Sequence, residues 1–354
     1  MNQHVKRWTA GLLAGLLLLL GAAAAVIYTV DPCLYYRMPD KWQPVFFNER
    51  YQAAGLVKNV RADTVLIGSS MAANYRAGDI GEAYGGTGLR ITLPDGYFQE
   101  FDQVMDLLFR SQTPERVVFA LDANILMRDD DGVGDSMPEY LYDRNPFNDV
   151  KYLLSKDSLY YCAYVHTANT QWHSGQTLDE GFTWDKTVQW GRETTLGAYE
   201  RPELAAEPLP ADAFFRDVDR NLAVVLSWID QHPETQFDVF LSPYSILYWD
   251  KTARQGRTEA VFAALERTCD ALTGLDNVRL FGFLFDQEIV TELDHYCDYV
   301  HHSGEVSRRL LDKLAAGEEQ LTAENWRETL ANWKAFVVDY DYEIFWDSGE
   351  HPVA

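Results

Sequence analysis

The stretch "VLIGSSMAANY", residues 65–75, carries a β-branched apolar run that stops abruptly at Gly68, Ser69 and Ser70 and then turns polar and helix-forming. This is how a buried strand hands over to a helix. Two hydroxyls at such a junction have two readings. One of them caps the helix, which serine does often and well, or one of them is a nucleophile.

Working outward, residues 64–67, 117–121, 237–241 and 278–283 all read as buried strands followed by polar or turn residues. Between and after them, residues 98–109, 214–229, 261–272 and 306–314 have helical apolar spacing. Strands alternating with helices predict crossover units: an α/β fold, a three-layer α/β/α sandwich around a central parallel sheet. Such sheets place their sites at the carboxyl ends of the strands. That puts Ser69 and Ser70 at the expected location.

The chain has 354 residues, 47% of them apolar, enough for a sizeable core in one large domain or two modest ones. Its first thirty residues differ from the rest: Lys6 and Arg7 precede an uncharged run from Trp8 to Val30 that contains five consecutive leucines, 16–20. About 20 apolar residues cross a bilayer core as a helix. A cleaved signal peptide is the competing reading, because residues 22–25 are alanines. Apolar sequence continuing through Val26, Ile27, Tyr28 and Val30 favours an uncleaved anchor. Positive residues before the span then predict residues 1–7 in the cytoplasm, 8–30 in the membrane, and 31–354 as one extracytoplasmic domain. No second stretch is long and apolar enough to span.

A formal charge of −24 argues against nucleic acid, whose phosphates would be repelled. Cys33, Cys162, Cys269 and Cys297 have neither metal-ligand spacing nor a dense disulfide pattern, and are equally well read as small buried hydrophobes. The acidic run beginning at Asp129 lacks the alternating ligands of a calcium loop and reads as a solvated turn. From about 143 to 208 the strand–helix alternation lapses into a polar, aromatic-rich insertion carrying Trp172, Trp184 and Trp190, a candidate lid or groove wall. Its aromatics either stack on sugar rings or pin the loop to its own core. His166 and His173, in the same segment, read as surface residues.

The second half of a site lies 228 positions on, in "YCDYVHHSGEVSRRLL", residues 296–311. Asp298 and His301 are three apart, with a helix expected to begin just beyond, at Ser303. A serine hydroxyl needs a base to take its proton, and the base needs a partner to fix its tautomer. Asp and His at this spacing fit one tight turn, the carboxylate bonding one ring nitrogen while the other faces the serine. His302 is adjacent and remains an alternative base. Cys297 directly precedes Asp298, and its side chain is expected to point away from that of its neighbour.

A Gly-Ser-Ser after the first strand, joined to an Asp-x-x-His before a late helix, resembles the SGNH (GDSL-like) hydrolase superfamily. "FLSPYS" at 240–245, "CDYVHHS" at 297–303 and the single anchor look like its membrane-tethered branch, whose relatives include the D-alanyl transfer protein of teichoic acid synthesis and proteins that work beside membrane-bound O-acyltransferases. The resemblance implies Ser70 as nucleophile, His301 as base and Asp298 as its orienting partner, with Ser69 where the family has Asp. It implies an esterase or O-acyltransferase acting on acyl esters of a cell-envelope polysaccharide or teichoic acid. No metal or cofactor is implied, and a membrane-bound O-acyltransferase is the implied partner. The family's oxyanion hole takes a Gly from a second block and an Asn from a third. Here Gly96 in "LPDGYF" stands for the first and Asn124 in "ALDAN" for the second, with Asp122 close by where a neutral donor would serve better. Two other readings remain: a non-catalytic polysaccharide-binding or scaffold protein of the same fold, and a lipid-directed esterase, which requires an exposed apolar cleft near Ser70.

Overall fold

The computed structural model describes residues 3–129 and 137–346. The chain opens with helix α1 (Gln3–Val30) and α2 (Glu49–Asn59), followed by β1 (Thr64–Gly68), α3 (Ala77–Tyr84), β2 (Gly88–Thr92), α4 (Phe98–Ser111) and β3 (Arg116–Leu121). Short helices α5 (Ala123–Leu126) and α6 (Val150–Leu153), then α7 (Lys156–Thr167) and α8 (Arg192–Gly197), lead to α9 (Phe215–Gln231) and β4 (Gln236–Leu241). The rest is α10 (Ile246–Arg254), α11 (Thr258–Leu272), β5 (Val278–Phe281), α12 (Gln287–Val290), α13 (Gly304–Ala316), β6 (Gln320–Leu321) and α14 (Trp326–Asp339).

The six strands form one sheet in the order β2-β1-β3-β4-β5-β6, the first five parallel. All five residues of β1 are buried, as expected of a strand covered on both faces. Alternation splits the core in two. Val65, Ile67, Val117, Phe119, Phe237 and Val239 face one layer, built on α2, α4, α9 and α11. Leu66, Val118, Ala120 and Phe240 face the other, where Ile80 of α3 and Val306, Leu310 and Leu314 of α13 close over them. The expected three-layer arrangement is therefore present.

Two strands escape the sequence reading. In β2, "GLRIT", a glycine and a buried arginine interrupt the apolar run. β6 is only two residues long and pairs antiparallel with β5, so the sheet is mixed rather than wholly parallel. The left-handed cap at Gly317 (φ 77°) turns the chain straight back from α13 onto the sheet edge.

Because β2 and β3 lie on opposite sides of β1, the chain reverses its direction of winding there. The crevice outside the carboxyl ends of β1 and β3 is the switch point where open α/β sheets place their sites. Of the acidic run at 129–132, all but Asp129 lies outside the described residues. The four cysteines are free, with Cys33, Cys162 and Cys269 buried. α1 is the one described helix long and apolar enough to cross a membrane.

The segment from 143 to 208 contains α6, α7, a wide helical turn at Ala168–Trp172, α8 and irregular chain. A buried arginine of β2 pins it: Arg90 donates from Nη1 to the carbonyls of Ala73 (2.8 Å) and Tyr75 and from Nη2 to that of Gly181. The Arg90 guanidinium is pushed down to about 10 by burial.

Candidate active site

Gly68 ends β1 where a side chain has no room. A Cβ there would sit 2.7 Å from that of Ala120 on β3 and 2.9 Å from that of Ala72. The chain then makes a single tight helical turn, Ser70–Ala72, whose N-cap is Ser69, its hydroxyl accepting from the Met71 N–H at 3.3 Å. The Ser69 hydroxyl also donates to Asp122 Oδ2 at 2.9 Å. The two readings of the serine pair thus divide between the residues: Ser69 is the cap, and the Ser70 hydroxyl is directed elsewhere.

It is directed at His301. Ser70 Oγ lies 2.8 Å from His301 Nε2, and His301 Nδ1 lies 2.6 Å from Asp298 Oδ2. The other carboxylate oxygen, Oδ1, accepts the N–H groups of Val300 (2.8 Å) and His301 (2.7 Å), so Asp298 folds the turn and orients the ring together. Burial works against the Asp298 charge. The His301 ring hydrogen bond, the charge of that imidazole and the two N–H groups outweigh it and hold the carboxyl below its usual range. An ionised carboxylate at Nδ1 requires the proton there, leaving Nε2 of the neutral ring as an acceptor for the Ser70 hydroxyl.

The turn is braced from outside. Both the N–H and the hydroxyl of Ser245, in "FLSPYS" after β4, donate to the Tyr299 carbonyl, at 3.1 and 2.9 Å. Ser303, the residue named from sequence, caps α13 immediately after. The His301 and Asp298 side chains keep 25% and 29% exposure, so the relay reaches the surface.

His302 faces the other way. Its ring is buried in the layer under α13, edge-on to Tyr75, with Nε2 lacking a partner among the described residues. Burial pushes it down to about 4. The folded value lies below the ordinary 6.5, so protons favour the unfolded chain. The stability from keeping this ring neutral is whole above about pH 6.5 and is lost toward pH 4, on the order of 2–3 kcal/mol by linkage. His302→Phe is expected to flatten the acid limb of thermal stability by that amount between pH 7 and 4.5. Parallel curves for variant and wild type would refute the assignment.

The expected oxyanion donors fare differently. The Gly96 N–H donates to the Leu93 carbonyl at 2.9 Å and closes its own turn, so it is not a free donor. The glycine is there for space, since a Cβ would meet Leu93 O and Phe101 at 2.8 Å. Asn124 lies in the first turn of α5, its N–H held by Asp122 Oδ1 (3.0 Å) and Tyr244 Oη (3.2 Å), while its side-chain amide has no partner among the described residues. Asp122 is turned into the scaffold: the hydroxyls of Ser69 and Tyr244 and the N–H groups of Asn124 and Ile125 all donate to it. The N–H of Ser70 likewise has no acceptor among the described residues.

Sequence reasoning missed one neighbour, Asn74, and named another, Trp184, only as part of a candidate lid or groove wall. The Asn74 amide donates to the His302 carbonyl at 3.3 Å while its oxygen accepts from the Thr183 hydroxyl at 3.1 Å, joining the serine turn, the histidine loop and the insertion. Trp184 packs edge-on against His301 (centroids 5.3 Å apart, planes at 87°), and Trp190 stacks on Trp184 at 5.5 Å. The aromatic composition of the insertion was a signal for Trp184; Asn74 had none. His166 and His173 are exposed. The Cys297 thiol, half-buried beside Asp298, is pushed up to about 12 by burial and that carboxylate, so it stays protonated. Among the described residues, no three His, Cys, Asp or Glu side chains group as metal ligands.

No family model matches the chain, and no curated protein matches it. Among solved structures it is similar to one described as "a putative platelet activating factor from Streptococcus pneumonia", at 10% identity and a TM-score of 0.39, over 76% of this chain and 92% of that one. A likeness of that size carries no functional argument.

Proposed function

We propose that the chain is a serine esterase or O-acyltransferase of SGNH type, with Ser70 as nucleophile, His301 as general base and Asp298 as the residue that orients it. The observation that carries this reading is the unbroken relay from Ser70 Oγ to His301 Nε2 (2.8 Å) and from Nδ1 to Asp298 (2.6 Å), at the switch point of the sheet. In the proposed reaction Ser70 Oγ bonds to the acyl carbonyl carbon as His301 takes its proton. The tetrahedral oxyanion collapses, the ester C–O bond breaks, and His301 returns the proton to the departing alkoxide. Water or an acceptor hydroxyl then repeats the sequence on the acyl-serine.

The proposed donors to the oxyanion are the Ser70 N–H and the Asn124 amide, neither of which has a partner among the described residues. Each such donor is worth about 10²–10³ in rate, so a site without the Gly96 N–H is a slow one unless a partner or substrate group supplies a third. The proposed substrates are acetyl or D-alanyl type esters of a cell-envelope polysaccharide or teichoic acid, and the proposed partner is a membrane-bound O-acyltransferase. Both rest on the motif resemblance, with the Trp184–Trp190 stack beside His301 offering a face on which a sugar ring can lie. The closed Gly96 turn is what favours the second reading, a non-catalytic binding protein of the same fold.

Intact-mass spectrometry of the full chain in detergent, after brief exposure to p-nitrophenyl acetate, separates the two. The enzymatic reading expects one acetyl increment located by peptide mapping to Ser70. A folded protein that gains no adduct and is also unreactive toward a phosphonate probe would favour the binding role.

A further inference from the structure

A hydrocarbon core of about 30 Å takes about 20 helical residues. Counted from Trp8, next to Lys6 and Arg7, a span along α1 closes near Ile27. At that level the helix is no longer free. Ile27 is fully buried in the main core, and Val30 packs on Val165 and Ala168 at the end of α7. Ala23 and Ala24 are already half-buried, whereas residues 16–20 are exposed. The junction is tied to the domain by hydrogen bonds. The carboxylate of Asp31, itself buried, accepts the Tyr152 hydroxyl from α6 at 2.9 Å and the N–H groups of Tyr35, Tyr36 and Arg37. A membrane that ends near Ile27 therefore brings α6 and α7 to its own boundary.

The surface presented there carries large apolar side chains among exposed charged ones such as Lys151, Lys156 and Asp157. Phe147 (88% exposed), Tyr160 (66%) and Trp172 (57%) stand out with Val150, Leu154 and Leu159. Away from α1 and this segment, the exposed large apolar residues of the described surface are Leu204, Leu209, Val338 and Ile344, separated in sequence. The charge is also unlike the rest of the chain. Residues 143–173 hold three acidic and three basic side chains, a balanced stretch in a protein of net charge −24.

We propose that the α6–α7 segment is a membrane-seated foot, its apolar face lying in the headgroup–acyl boundary of the bilayer that α1 crosses. Aromatic side chains with polar edges favour that layer, and interfacial helices sit about 5–10 Å into it. The foot and the docked end of α1 give the domain a fixed stance on the membrane rather than a free tether. The inference rests on α1 spanning the bilayer and is independent of the chemistry at Ser70.

The test uses the full chain with Cys297→Ser, reconstituted in phosphatidylcholine vesicles with and without doxyl-labelled phosphatidylcholine. Single cysteines replace Phe147, Tyr160 or Trp172 and are labelled with an environment-sensitive nitrobenzoxadiazole probe. Leu18→Cys reports the span and Val338→Cys the aqueous surface. The expected result is quenching of the three foot positions by shallow, 5-position doxyl lipid well above the level seen at Val338, with iodide quenching well below the level seen there. Quenching by iodide equal to that at Val338, with Leu18 in lipid, overturns the foot while leaving the anchor. Protection from both quenchers overturns it in favour of contact with a second copy. A Leu18 probe that iodide reaches removes the span, and the inference with it.

Discussion

Ser70→Ala is expected to lower the rate of p-nitrophenyl ester turnover by at least ~10⁴-fold, approaching ~10⁶ if the relay acts as a unit, as nucleophile deletions do in other serine hydrolases. The loss is chemical, because alanine fits the tight turn after β1 and Ser69, not Ser70, caps it. Folding stability is expected to stay within about 0.5 kcal/mol, the range for a partly exposed position outside the core. Ser69→Ala is the informative contrast. It removes the cap and a donor to Asp122, at about 1 kcal/mol of stability, while leaving the Ser70 hydroxyl in place. Single-turnover release of p-nitrophenolate decides between them. A Ser70→Ala protein within tenfold of wild type, beside an inactive Ser69→Ala, would sink the assignment.

The second large effect is expected at Asp298. Asn in its place keeps the shape, and its carbonyl oxygen can still accept the N–H groups of Val300 and His301, so the turn persists. What changes is the group facing His301 Nδ1. An amide NH₂ there donates, which forces the ring proton onto Nε2, the nitrogen that must accept from Ser70. A wrong tautomer in an intact geometry costs about 10⁴-fold in kcat. The measurement is kcat for Asp298→Asn against Asp298→Ala, with near-ultraviolet circular dichroism as the control for the fold. Equal, small losses in both would mean that Asp298 only folds the loop. A collapse of kcat in Asn with a native spectrum assigns it to the tautomer.

Parts of this were legible beforehand for a physical reason. β1 and β3 are buried on both faces and appear as nearly continuous apolar runs, β4 as one interrupted by Asp238, and β5, half-buried at Val278 and Arg279, ends in the buried apolar pair Leu280 and Phe281. β2 hid because Arg90, buried within it, looks like a surface residue until its carbonyl partners come into view. The spacing of Asp298 and His301 was readable because the turn that joins them is local. Gly96 was misread because a glycine in a turn after a strand looks the same whether its N–H is free or closed onto Leu93.

The sequence by itself determined the layer architecture, the apolar helix at its head and the local Asp298–His301 pairing, since these follow from periodicity, length and short-range spacing; joining that pair to the serines at 69 and 70 came from the motif resemblance. Only the tertiary structure decided between Ser69 and Ser70 and between His301 and His302. Those choices depend on which way a side chain leaves a turn, and adjacent residues leave in different directions. It also decided that Asp122 faces the scaffold, that Asn74 and Trp184 reach the site, and that the end of α1 is docked rather than free. Each of these is a contact between segments far apart in the chain, and no local pattern encodes the partner at the other end.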